Sequence, residues 1–228
     1  MEIEKLEEKI SVSFKNKDLL RQALVHRSYL NENRDFELDH NERLEFLGDA
    51  VLELATTEFL YKNFSNPEGE LTNFRAALVN SNMLSRIANE LGLEEYLLMS
   101  RGEKKDTGKA RQYILANSLE AIIGAIYIDQ GYRKAKKFVS DNFLVKMEDV
   151  LDKKLYQDPK SKFQENSQEV VGTTPTYKVM KEWGPDHDKH FVIAVYLGDE
   201  KVAEGEGTSK QSAQMKAAEM GLKAKGWK

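Results

Sequence analysis

Along roughly the first 150 positions of this chain apolar residues recur at three- and four-residue intervals, and only beyond about position 175 do they alternate. Asp18 to Tyr29 places Leu19, Leu20, Ala23 and Leu24 on one face of an amphipathic helix, with His26 near its end as a structural group. The polar segment from Asn31 to Leu38 is a loop, and Asp39 is the expected N-cap of a helix running to about Phe64. On that helix Leu44, Leu47, Val51 and Leu54 form the side to be buried, and Glu42, Glu45, Asp49 and Glu53 share the other. Asn-Pro and Gly mark a turn at Ser65 to Glu70, which contains Glu68. A helical pattern follows through Leu71, Phe74 and Leu78, and another from Asn82 to Leu91, closed by Gly92.

The basic stretch from Arg101 to Arg111 has two glycines and no periodicity, and is expected to be an exposed loop. From Ile114 to Ile128 the chain is apolar on nearly every side, the pattern of a helix buried within a domain. Tyr132 to Leu151 is a further helix, with Phe138, Val139, Phe143, Met147 and Val150 inward. Residues 1–152 thus form an all-α domain, 153–157 a short polar linker and 158–228 a second domain.

In that second domain Pro159 to Val171 is a helix with proline near its start and Gly172 at its end. Tyr177 to Trp183 is a strand, Gly184 to Lys189 a turn, and His190 to Leu197 a strand with a clear period of two. A third strand, Lys201 to Gly205, precedes an Ala-rich helix from Lys210 to about Ala224, capped by Ser209. The order α-β-β-β-α implies one antiparallel sheet with two helices on one face.

Composition narrows the possibilities. The chain has no cysteine, which removes disulfides and thiolate metal sites and fits a reducing compartment. Its N-terminus is charged, and its longest apolar run, Ala121 to Ile128, is far below the ~20 residues of a membrane span. A cytoplasmic protein with no membrane partner is expected. The net charge of −4 falls entirely in the first 156 residues, because from Gln157 onward 11 Lys balance 11 Asp plus Glu. Any nucleic-acid binding must therefore come from local patches.

Two segments carry candidate chemistry. The carboxylate row of Glu42, Glu45, Asp49 and Glu53 has no lysine or arginine at the spacings that would neutralise it within the helix. It is either an acidic surface, tolerable at ~0.2–0.5 kcal/mol per exposed like-charge pair, or a site for a hard divalent cation. In the apolar helix Asn117, Glu120 and Gly124 share one face, and the glycine leaves room for a second backbone or a ligand. A buried Glu120 must be paired, protonated or metal-bound, since an unpaired buried charge costs several kcal/mol. Packing the two helices together around a shared cation satisfies both segments.

These residues resemble ribonuclease III, the double-stranded-RNA endonuclease, over almost the whole chain. ALVHRS at Ala23 to Ser28, NERLEFLGDAVL at Asn41 to Leu52, PEGELTNFRAALV at Pro67 to Val79 and LANSLEAIIGAIYID around Glu120 resemble the motifs of its nuclease domain. DPKSKFQE, PTYKV, GPDHDK and GEGTSK resemble a double-stranded RNA-binding domain. The resemblance implies magnesium-assisted hydrolysis of duplex RNA to 5′-phosphate and 3′-hydroxyl ends, with manganese able to substitute. It also implies a role in processing ribosomal and other RNA precursors, carried out by a homodimer whose two sites cut opposite strands. It assigns catalysis to Asp49 and Glu120, metal ligation to Glu45, Asp49, Asn117 and Glu120, and accessory acidic roles to Glu42 and Glu68. RNA contact falls to Gln164, Glu165, His187 and Lys210. Two departures stand out. Asn117 occupies a position that is usually aspartate, and Gln211 and Gln214 follow Lys210 where the family often has more lysines. The first departure favours an alternative, a non-catalytic duplex-RNA-binding protein that keeps the nuclease fold.

Overall fold

Helix α8 (Lys109–Gln130) is the axis of the first unit, with Ile114, Leu119, Ile122, Ile123 and Ile126 all inside. A helix apolar all round cannot face water, so the chain wraps it. The computed structural model describes residues 2–105, 107–185 and 189–227. They fall into two compact units, Met1–Tyr156 and Gln157–Lys228.

In the first unit α1 (Ile3–Ile10), α2 (Lys17–Ala23) and α3 (Arg27–Glu32) lead to the 22-residue α4 (Glu42–Asn63), which packs along α8. Helices α5 (Glu68–Val79), α6 (Ser81–Glu90), α7 (Arg101–Lys105), α9 (Tyr132–Asn142) and α10 (Met147–Asp152) complete it. Asn80 ends α5 and caps α6 by accepting a hydrogen bond from the Met83 backbone at 3.0 Å. Tyr156, the last residue of this unit, packs edge-on against Phe74, ring centroids 4.7 Å apart.

Several local expectations give way to tertiary contacts. The helix expected from Asp18 to Tyr29 breaks at Leu24 and Val25, because these fully buried residues pair with Leu98 instead. The Leu98 amide donates to the Leu24 carbonyl at 2.9 Å, and the His26 amide to the Leu98 carbonyl at 2.8 Å. His26 then caps α3 by accepting from the Ser28 amide. The position before α4 belongs to Asn41 and not to Asp39, since the Asn41 amide is held by the Val25 carbonyl at 2.9 Å. Leu54 is 56 % exposed, because the buried stripe of α4 runs through Leu44, Gly48, Val51, Leu52 and Ala55. Glu68 is the first residue of α5 and not a loop residue. The expected loop from Arg101 to Arg111 contains α7 and the first turn of α8. Finally, the helix expected over Tyr132 to Leu151 is interrupted by a short 3-10 turn, Leu144–Lys146, where Phe143 turns fully into the core.

In the second unit α11 (Pro159–Val171) starts at Asp158, whose carboxylate accepts from the Lys160 and Ser161 amides, and ends at Gly172 in the left-handed region, φ 68°. Strands β1 (Thr176–Trp183), β2 (His190–Leu197) and β3 (Glu200–Gly207) form an antiparallel sheet in that order. Phe191, Ile193, Val195 and Leu197 of the central strand are buried, as their alternation requires. Helix α12 (Lys210–Lys225) is held by a capping box between Ser209 and Ser212 and packs on Phe163 of α11 through Gly221. A Cβ at Gly205 would strike the backbone of α12, so glycine there lets helix and strand meet.

Candidate active site and RNA-binding elements

Helices α4 and α8 touch backbone to backbone. A Cβ at Gly48 would overlap the Glu120 carbonyl, and one at Gly124 would overlap the Leu44 carbonyl and lie 3.1 Å from the Gly48 nitrogen. This contact brings Glu45 and Asp49, either side of Gly48, up to the side chain of Glu120 on α8. Their mutual influence is marked. Burial first, and then the charges of Asp49 and Glu45, push the Glu120 carboxyl up to about 8. Burial also raises Glu45, followed by the charge of Glu42, while a hydrogen bond from Asn117 lowers it. Asp49 is raised by burial and by Glu53.

Three carboxylates and the Asn117 amide therefore gather at the helix crossing, in a place that resists the ionisation of the carboxyls. Hard oxygen donors without a balancing side-chain cation fit a hard divalent ion, which would lower all three pKa values at once. Among the described residues no group of three or more His, Cys, Asp or Glu stands close enough together to hold a metal ion as it is. Mutual repulsion between carboxylates opposes such closeness.

Glu42 is exposed at the first turn of α4, 3.5 Å from Arg27 and 3.8 Å from the His40 ring. Glu68 is not brought to this cluster. It lines a cleft of 400 Å³ with Tyr61 and Arg75, and Tyr61 lies about 18 Å along α4 from Asp49.

Sequence reasoning passed over Asn41 and Gly48. Asn41 is buried and donates to the Ala23 carbonyl at 3.2 Å and the Ser118 hydroxyl at 3.4 Å, which ties the start of α4 to α8 beside Asn117. A glycine inside a helix costs ~1 kcal/mol relative to alanine, and that cost was the available signal for Gly48.

In the second unit Gln164 and Glu165 stand exposed on α11, and Lys210 is exposed at the first turn of α12, its ammonium 5.7 Å from the Phe191 ring. His187 lies outside the described residues. No helix among the described residues is long and apolar enough to cross a membrane.

A helical nuclease-type unit with an acidic cluster, followed in the chain by an α-β-β-β-α unit of RNA-binding type, defines an endoribonuclease. Residues 16–147 match the Ribonuclease-III-like family and residues 159–224 the Double-stranded RNA binding motif. Ribonuclease 3 of Borreliella burgdorferi is 44% identical over 224 residues, covering 98% of this chain and 91% of that protein. Ribonuclease 3 of Campylobacter jejuni is 42% identical, covering 98% of each. A crystal structure of the nuclease domain of the Campylobacter jejuni enzyme is similar with a TM-score of 0.55 and 44% identity, over 62% of this chain and 96% of that one. The chain belongs to the ribonuclease III family.

Proposed function

We propose that this endoribonuclease hydrolyses duplex RNA with the help of a divalent ion, magnesium or in its place manganese, leaving 5′-phosphate and 3′-hydroxyl ends. Glu45, Asp49 and Glu120, with the Asn117 side-chain oxygen, would hold the ion, and Glu42 lies close enough to act on the same charge balance. When bound, the ion activates a water and stabilises charge on the scissile phosphate. The chain itself supplies placement. The observation that carries this reading is the contact of Gly48 with the Glu120 backbone, which draws together the two helices that bear these carboxylates.

The second unit would hold the duplex through Gln164 and Glu165 of α11, His187 in the stretch of sequence between β1 and β2, and Lys210. Duplex RNA offers shape, 2′-hydroxyls and phosphates more than sequence, so these elements select A-form RNA and not a transcript. Processing of ribosomal and other precursors in the cytoplasm is the matching role.

The working unit is a homodimer. Phe46 is 82 % exposed at a cleft of 610 Å³ whose lining combines Leu19, Leu47 and Ile128 with Gln22, Glu42 and Arg43, and association would cover the exposed ring. A further Campylobacter jejuni nuclease-domain structure is described as showing structural flexibility in a region involved in dimer formation. Glu68, too far from its own chain's cluster, could serve only the cleavage centre of a second copy.

One observation favours the non-catalytic alternative: Asn117 brings no charge to the cluster. Incubating the protein with a labelled RNA duplex, with and without magnesium, decides between them. Short staggered products that require the ion support the nuclease, and an intact but bound duplex supports the alternative.

A further inference from the structure

Five of the eleven lysines of the second unit are ion-paired within it. Lys189 pairs with Glu182 at 3.0 Å, Lys201 with Glu204 at 2.6 Å, Lys216 and Lys223 with Glu219 at 2.8 and 2.7 Å, and Lys225 with Glu200 at 2.8 Å. Lys162, Lys178 and Lys181 are not among these pairs, and neither are Lys160 and Lys210. Among the described residues neither Lys160 nor Lys210 has a carboxylate within 4.0 Å. Each is held instead by neutral groups. Lys160 donates to the Gln214 side-chain oxygen at 2.7 Å and sits 5.1 Å from the Tyr177 ring centroid, while Lys210 sits over Phe191. The nearby Asp158 carboxylate is committed to capping α11.

Gln214 follows Lys210 by one turn on the same face of α12, so their Cβ atoms are roughly 6 Å apart. Through Gln214 the Lys160 ammonium is therefore brought from α11 onto the face that carries Lys210. Its stem is half-buried, so little side-chain freedom remains to be lost on binding.

We propose that Lys160 is a phosphate-contacting residue, which acts with Lys210 as a paired cation site for the backbone of duplex RNA and supplies the charge that Gln214 lacks. The inference rests on the reading of the second unit as a duplex-RNA binder and adds a residue that neither the motif pattern nor α12 alone points to. Gln214 and Tyr177 orient the ammonium without neutralising it, so its charge remains available to a phosphate.

The test is equilibrium binding of the full chain to an RNA duplex in EDTA across a salt series, with a denaturing gel showing the RNA intact. Lys160→Gln should weaken binding about five- to tenfold at low salt and reduce the log–log salt slope by about one. Lys216→Gln, which removes a lysine already paired with Glu219, should change it less than about twofold. Adding Gln214→Lys to Lys160→Gln should restore most of the affinity and the slope. Wild-type affinity and slope in Lys160→Gln, while Lys210→Gln weakens binding, would overturn the proposal and leave the RNA-binding reading standing. A loss that Gln214→Lys does not recover, accompanied by a lower unfolding temperature, would assign Lys160 to packing on Tyr177 and overturn it as well. No binding by the wild-type chain would sink the underlying reading itself.

Discussion

Gly48 and Gly124 meet where α4 crosses α8, so closely that a methyl group on either would enter the other helix's backbone. The acidic cluster depends on this meeting, because it sets how near Glu45 and Asp49 come to Glu120. Gly48→Ala or Gly124→Ala must push the helices apart or bend them, at a cost of about 1–3 kcal/mol or more for overpacking against backbone. Gly69 is a useful contrast. It lies inside α5, and a methyl group there would meet nothing within 4 Å, so Gly69→Ala should stabilise by about 0.5–1 kcal/mol. Urea unfolding of the three variants checks both signs. Equal stability of Gly48→Ala and Gly69→Ala would refute the close contact.

The cluster's chemistry is tested by Glu120→Gln and Asp49→Asn. On the proposed reading each removes a carboxylate that would serve the ion, whereas affinity for duplex RNA would come from the second unit. Each variant should lose cleavage by at least about a hundredfold, a catalytic contribution of ~3 kcal/mol, while duplex binding stays within about twofold. Glu120→Gln should also raise the stability of the ion-free protein at pH 8, since the buried charge that burial penalises is gone. Undiminished cleavage in either variant removes that residue from the site.

How much of this was legible beforehand follows from what each signal depends on. The fully apolar pattern from Ile114 to Ile128 needed only local sequence, and α8 is buried as that pattern requires. The alternation through β2 and the caps at Gly172 and Ser209 were equally local. The break at Leu24 was not, because it is caused by Leu98, a residue more than seventy positions away. The start of α4 at Asn41 depends on a distant partner too, the Val25 carbonyl. In the acidic helix the charge row was visible, but the true buried stripe passes through Gly48, which hydrophobicity does not flag. Glu68 carries a motif position in sequence, and only the length of α4 separates it from Asp49.

Glu58 couples α4 to α9 and gives a pH test independent of the cluster. Hydrogen bonds from Lys136, Lys62 and Tyr132 hold its carboxyl down to about 2, and the Tyr132 hydroxyl, raised mainly by burial and then by Glu58, is pushed up to about 12. A depressed carboxyl contributes stability above its unfolded value, here the ordinary 4.5, and loses it as pH falls through the folded value. Wild type should therefore exceed Glu58→Gln in unfolding temperature by a constant margin above about pH 5, and the margin should close between there and pH 2. A margin that is unchanged at pH 2.5 would contradict the ionic origin.

For the homodimer, Phe46 is the exposed aromatic in a cleft of mixed apolar and charged lining. Truncating a central aromatic anchor costs at least ~2 kcal/mol of association, about thirtyfold in the dissociation constant. Phe46→Ala should shift sedimentation toward monomer at micromolar concentration without lowering helix content. It should also turn paired cuts into single-strand nicks. A wild-type chain that sediments as a monomer would remove the dimer.

Asn117 is the residue on which the strength of the site turns. Its amide donates to Glu45 and so relieves a carboxylate that burial and Glu42 already push up. Asn117→Asp removes that donor and adds a fourth negative charge next to Glu45, close to a Glu120 that titrates near 8. Without a divalent ion the variant should be less stable than wild type, the more so as pH rises from 5 to 8 and the carboxyls are forced to ionise. With the ion the sign reverses. At ~5 Å and an effective dielectric of about 20, one more charge attracts a divalent cation by ~6 kcal/mol before opposing contributions. Repulsion among the carboxylates and desolvation of the new one cancel much of this. A remainder of ~1–2 kcal/mol is still about tenfold in affinity. Asn117→Asp should therefore lower the magnesium concentration for half-maximal cleavage about tenfold and enlarge the rise in unfolding temperature that magnesium produces. Asn117→Leu, which keeps bulk and removes the oxygen, should raise that concentration sharply. If Asn117 only satisfied hydrogen bonds within the core, aspartate would destabilise the fold and leave the magnesium midpoint where it was. An unshifted midpoint in a folded Asn117→Asp protein thus excludes the ligand role, and thermal unfolding run alongside the titration establishes that the variant is folded.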